Sequence, residues 1–150
     1  MAKTKPSKRG GQAAQTPGWR LRFLYLGSAD VGKDLAAYKA AGATVAWDKA
    51  GFGTRVAAVR LGPDPLLLLA GHRPSPSILP VFQVADLEAE TDRLRTAGWT
   101  VEGEVFEVPN GPCRLFRDPS GNEVTLLQET RPDPFGTDGD GRAAPAPFRP

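Results

Sequence analysis

Between Arg20 and Gly27 the chain is apolar at nearly every position. Leu21, Phe23 and Tyr25 interleave with Leu24 and Leu26, a pattern that predicts a strand. The period then lengthens. Val31, Leu35 and Tyr38 recur at i, i+4 and i+7, one stripe of a helix. Asp30 stands where its carboxylate can accept from an unpaired amide of the first turn, and Gly42 where a left-handed residue can end the helix. Three short strands are predicted next, over Thr44 to Trp47, Arg55 to Leu61 and Leu66 to Ala70, with Gly51, Gly53, Gly62, Pro63 and Pro65 in the gaps.

After a polar, proline-containing connector from Gly71 to Pro76 the pattern begins again. Leu79, Val81 and Gln83 share one face of a strand and Pro80 and Phe82 the other. Pro80 has no amide to donate, which places it at an edge or on the open side of its strand. Asp86 caps a helix bearing Leu87, Thr91 and Leu94; its acids come early and Arg93 and Arg95 late, as the helix dipole favours. Gly98 ends it. Strands over Trp99 to Glu102 and Glu104 to Val108 precede the hairpin RLFRDPSGNEVTLLQ, Arg114 to Gln128, whose DPSGN supplies the reversal. On its second strand Glu123, Thr125 and Leu127 share one face and Val124, Leu126 and Gln128 the other.

The resumption is a duplication. ADVGKDLAAYKAAGATV (29–45) lies on ADLEAETDRLRTAGWTV (85–101) without a gap at an offset of 56, with six identities in 17 positions, including both caps and both terminating glycines. An α+β fold of two tandem βαβββ modules is expected, forming a curled mixed sheet with outer helices. Module one spans 19–71, the connector 72–76 and module two 77–130. Residues 1–18 read as a disordered basic arm and 131–150 as a loose Pro/Gly-rich tail, in which Phe135 and Phe148 are candidates to dock over a groove or a partner subunit. The pair Asp138 and Asp140 lacks the further acids of a calcium loop.

Charge narrows the partners. Lys3, Lys5, Lys8 and Arg9 crowd the first nine residues; setting these four aside from the 19 basic residues leaves 15 against 17 acids. The body has no basic bias of the kind nucleic-acid binding needs. The longest aliphatic run, Leu66 to Leu69, is far too short to span a bilayer, and no apolar export signal is evident. A single cysteine, Cys113, excludes an internal disulfide and suits a reducing compartment. A cytoplasmic protein without nucleic-acid or membrane partners is expected.

The helix entries GSADV and QVADL and the hairpin FRDPSGNEVTLLQ resemble the vicinal oxygen chelate superfamily, over about Trp19 to Gln128. That superfamily includes glyoxalase I, extradiol dioxygenases, fosfomycin-modifying enzymes and bleomycin-resistance proteins. The resemblance implies that paired modules enclose a cavity and, in short members, a homodimer in which each cavity is built by modules of both chains. It also implies metal ligands seven residues before the helix-entry Asp and four after the hairpin Gly. Here those positions carry Phe23, Leu79 and Thr125, and the offset of 56 adds Leu69; a one-residue slip would give Leu68 instead. Hydrocarbon offers no lone pair and one hydroxyl is a poor anchor, so no metal or other cofactor is expected.

The expected function is therefore metal-independent binding of an apolar or aromatic small molecule. Candidate contacts are Phe23, Tyr25, Trp47, Phe52, Leu69, Leu79, Trp99, Arg114, Phe116 and Thr125, the aromatics for stacking and Arg114 to pair with a ligand anion. The alternative is an enzyme of the same superfamily, a lyase, isomerase or dioxygenase, with a relocated metal or with Glu123 as base. Cys113 reads as a buried strand thiol, and His72 as a loop residue.

Overall fold

The computed structural model describes residues 16–51 and 53–135. Residues 1–15 of the basic arm, the candidate Phe52, and Asp138, Asp140 and Phe148 of the tail lie outside the described residues. The elements run β1 (Arg20–Gly27), α1 (Val31–Ala40), β2 (Thr44–Gly51), β3 (Thr54–Arg60), β4 (Leu66–Ala70), β5 (Ile78–Gln83), α2 (Leu87–Thr96), β6 (Thr100–Val108), β7 (Gly111–Arg117) and β8 (Glu123–Leu127).

All eight strands form one mixed sheet in the order β2-β3-β4-β1-β5-β8-β7-β6. β1 pairs parallel with β4, and β5 parallel with β8, while β1 and β5 meet antiparallel at the centre. Each half thus repeats the other about an approximate twofold axis between β1 and β5. This is the α+β arrangement of two βαβββ units that the repeat predicts.

Both helices start and stop as their sequences dictate. The Asp30 and Asp86 side chains each accept from the amide three residues on, Lys33 and Ala89, at 3.0 Å. Gly42 and Gly98 follow at φ of 107° and 95°, a conformation that costs other residues a steric penalty. The two helices cover one face of the sheet. Val31 of α1 packs on Ala57, Val59 and Leu69 of the sheet, and Leu87 and Leu94 of α2 on Phe116, Val124 and Leu126. A third cluster, with Phe23, Val56, Leu68, Val81, Cys113 and Leu127, occupies the opposite face.

One expectation changes and one is narrowed. The chain from Thr100 to Val108 is one strand rather than two, interrupted by a bulge between Glu102 and Phe106. β5, which holds Pro80, is central rather than an edge; its ladder to β8 begins only at Val81, so Pro80 lies on the open side of the strand.

Candidate functional site

On the face away from the helices the sheet closes around a cavity. Trp47 from β2 and Phe106 and Val108 from β6, the two outermost strands, line the same cavity, so the sheet is curled. The floor comes from the centre: Phe23 and Tyr25 of β1, Leu68 of β4, Leu79 and Val81 of β5, and Thr125 and Leu127 of β8. Register explains the grouping. Phe23 pairs with Val81 and Val81 with Thr125, while Tyr25 pairs with both Leu68 and Leu79, so the rows cross both modules.

The inner cavity is narrow, about 40 Å³, and mainly apolar. It continues into an outer cleft of about 530 Å³ that shares Phe23, Trp47 and Asn110 with it and adds Arg20, Arg22, Arg60 and Asp64. The chain after β8 returns along this cleft. Glu129, its side chain only 3% exposed, accepts from Arg22 Nε at 3.2 Å and from Asn110 Nδ2 at 2.9 Å. Arg22 Nη2 also donates to the Pro132 carbonyl at 3.4 Å. Phe135 then lies against Trp47 and is itself 4% exposed. Docking of Phe135 over a groove, a candidate from the sequence, is what this contact achieves.

Few polar groups enter the inner cavity. Burial, with a smaller contribution from Cys113, pushes the Tyr25 hydroxyl well above the ordinary phenol range, so it is a neutral donor at physiological pH. Burial, reinforced by Glu107, pushes the Cys113 thiol up to about 12, far from nucleophilic at neutral pH. The His72 imidazole is held down, chiefly by burial and then by Arg73, which favours its neutral form. Its Nδ1 lies 3.4 Å from Thr54 Oγ1, and its ring meets Tyr25 edge-on.

Phe23, Tyr25, Trp47, Leu79 and Thr125 of the expected contacts come together here. Four others lie elsewhere, each for a geometric reason. Leu69 is packed under α1, because strand alternation gives its cavity position to Leu68. Phe116 is fully buried beneath α2, and Arg114, on the same face of β7, donates to the Gly103 carbonyl at 3.1 Å. Trp99 stacks edge-on with Trp19 beside α2, 6.2 Å between centroids. Glu123 lies at the start of β8, accepting from Arg73 Nη2 at 3.3 Å and Arg117 Nη2 at 3.0 Å; it serves two guanidinium groups as counterion.

The sequence reading missed Arg73, Asn110, Phe106 and Val108. For Arg73 a signal existed: it is the only charged residue in the connector that joins two apolar strands. Asn110 and its neighbours arrive only through the β6–β7 reversal, which strand alternation alone does not aim. Nor do the residues present suit a divalent cation. The positions at which the resemblance implies metal ligands carry Phe23, Leu68, Leu79 and Thr125, which all line the cavity, and among the described residues no three His, Cys, Asp or Glu side chains converge. No described helix is long and apolar enough to cross a membrane.

Known proteins of the same architecture share little sequence with this chain. Methylmalonyl-CoA epimerase from Mycobacterium tuberculosis superposes with a TM-score of 0.63 at 19% identity, covering 75% of this chain and 89% of its own. A hypothetical protein of Bacillus halodurans C-125 gives 0.66 at 10% identity over 76% and 96%. A glyoxalase/bleomycin resistance protein/dioxygenase superfamily member from Vibrio splendidus 12B01 gives 0.55 at 16% identity over 74% and 98%. These likenesses establish the fold alone. No curated protein sequence matches. The family model described as Glyoxalase/Bleomycin resistance protein/Dioxygenase superfamily matches residues 50–126, just over half the chain. The cavity between paired modules and this match agree: the chain belongs to the glyoxalase/bleomycin resistance protein/dioxygenase superfamily.

Proposed function

We propose that the protein binds a small apolar or aromatic molecule in the cavity between its two modules, without a metal. The observation that carries this reading is the lining. Positions that hold electron-pair donors in metal-dependent members of the fold here present Phe23, Leu68 and Leu79, with Thr125 the one hydroxyl. Such a wall rewards burial of ligand carbon at about 25 cal/mol per Å² and leaves orientation to a few polar groups. The narrow inner cavity takes one end of the ligand, and the wider cleft beyond Trp47 takes the rest. Sequestration or resistance by a cytoplasmic homodimer is the corresponding role.

The three tryptophans make the test selective. Trp47 lines the cavity, whereas Trp19 and Trp99 sit together beside α2. A planar compound that binds as proposed quenches the emission of the wild type and leaves Trp47→Phe unquenched. If no member of a broad aromatic library quenches, or if quenching survives Trp47→Phe, the reading fails. Native mass spectrometry of protein from its own cells reports subunit number and any retained molecule.

A further inference from the structure

Among the described residues lining the inner cavity, Arg73 alone carries a formal charge at neutral pH, and none is an aspartate or glutamate. Its side chain is 16% exposed. Only one end of the guanidinium is engaged, through Nη2 to Glu123. The Nε atom is shielded from solvent and has no hydrogen-bond partner among the described residues. A buried donor left unmade costs on the order of 1–3 kcal/mol, more for a charged group, and such groups in native proteins call for an explanation.

The connector that carries Arg73 is held firmly. Gly27 N donates to Ser77 O at 3.0 Å, and Ser77 Oγ donates to the Pro74 carbonyl. Gly27 itself lies so close that any Cβ would overlap the Pro74 carbonyl. The guanidinium is thus fixed from two directions, by a pinned backbone and by Glu123, which is in turn held by Arg117. Fixing a donor before its acceptor arrives lowers the cost of binding.

Resting on the binding role proposed above, we infer that Arg73 is the polar anchor of the cavity, and that its ligand is a planar aromatic acid whose carboxylate accepts from the exposed part of the Arg73 guanidinium. Three features support an anion over a neutral molecule. The lining holds a cation and no acid; the cation's own counterion sits outside the lining; and the neutral Tyr25 hydroxyl and the Thr125 hydroxyl add donors without adding charge. A charge-assisted bond to a carboxylate is roughly twice as strong as a neutral one. The aromatic body then extends along Phe23 toward Trp47 and the outer cleft.

The test compares 2-naphthoate with 2-naphthamide, its uncharged isostere, by calorimetry and Trp47 quenching at pH 7. The wild type is expected to bind the acid at least tenfold more tightly, and Arg73→Gln to lose that preference while its affinity for the amide changes less than threefold. Arg73→Lys keeps the charge without the forked guanidinium and should fall between the two. In the wild type, the Arg73 Nε–H resonance should move on addition of naphthoate, a readout that does not depend on any variant folding. Equal binding of acid and amide by the wild type, or an unmoved Nε–H resonance at saturation, overturns the anchor and leaves the binding role standing. Binding of neither probe, together with a silent aromatic library, defeats both.

Discussion

Trp47 and Phe135 meet edge to face, their ring centroids 4.9 Å apart and their planes at 60°. Trp47 belongs to an outer strand of module one, Phe135 to the chain beyond module two. Their contact closes one side of the mouth of the cavity, with the Lys49 ammonium 5.1 Å from the Phe135 ring. Phe135→Ala removes a ring that is 4% exposed and packs against Trp47. A loss of about 1.5–3 kcal/mol of stability is expected, together with a red shift of Trp47 emission as water reaches the indole. Unchanged emission would show that the two rings do not meet in solution.

The Arg22–Glu129 pair should prove asymmetric. Glu129→Gln keeps the shape and removes the charge, and is expected to cost about 1.5–3 kcal/mol. Arg22→Ala leaves a carboxylate that is 3% exposed with only Asn110 Nδ2 at 2.9 Å and the half-exposed Arg20 guanidinium at 3.9 Å, and is expected to cost about 3–5 kcal/mol. Urea unfolding of both variants measures the difference; an Arg22→Ala variant as stable as Glu129→Gln would mean that water reaches Glu129.

Alkali should weaken the fold. The Cys113 thiol, ordinarily near 9, is pushed up to about 12, so the folded state keeps a proton that the unfolded chain releases. Stability is full below about pH 9 and falls as pH rises toward 12, by at most about 1.4 kcal/mol per pH unit for this group. Tyr25 adds a loss of the same sign above its ordinary value. Cys113→Val should flatten part of the slope, as read from urea midpoints between pH 8 and 11. In the native protein the thiol should resist iodoacetamide at pH 8 and react on unfolding; rapid labelling of the folded state would contradict its burial.

The duplicated caps offer a comparison within one molecule. Asp30→Ala and Asp86→Ala each remove a 3.0 Å bond to a first-turn amide, and each should cost about 1 kcal/mol. The helices sit at opposite ends of the sheet, so the double variant should show the sum within about 0.5 kcal/mol. A marked excess would reveal that the two modules support one another through the seam between β1 and β5.

Much of this architecture is written in local pattern. Strand alternation separates Thr125 and Leu127 from Val124 and Leu126, and the β8 strand obeys it: the first pair faces the cavity and the second α2. Caps, terminating glycines and the repeat are similarly readable, because each depends on residues close in sequence. What failed depended on register. Thr44 and Thr100 correspond at an offset of 56, each opposite an equivalent residue of the next strand, Arg60 and Arg117. Tyr25 pairs with Leu68 as Val81 pairs with Thr125, an offset of 57 for the last strands. The extra residue enters at the bulge between Glu102 and Phe106, which is one residue longer than its counterpart between Val45 and Trp47. A bulge has no strong sequence signature, so the gapless repeat pointed to Leu69 and the fold chose Leu68. The misplaced aromatics have the same origin: hydrophobicity marks Phe116 and Trp99 as buried but not the side on which they are buried.

The antiparallel seam between β1 and β5 has a genetic consequence. Both modules of a single polypeptide line the cavity, so a damaged pocket is expected to stay with the copy that carries it. Co-expressed intact and Arg73-substituted copies should therefore contribute capacity in proportion to their abundance, with no dominant interference.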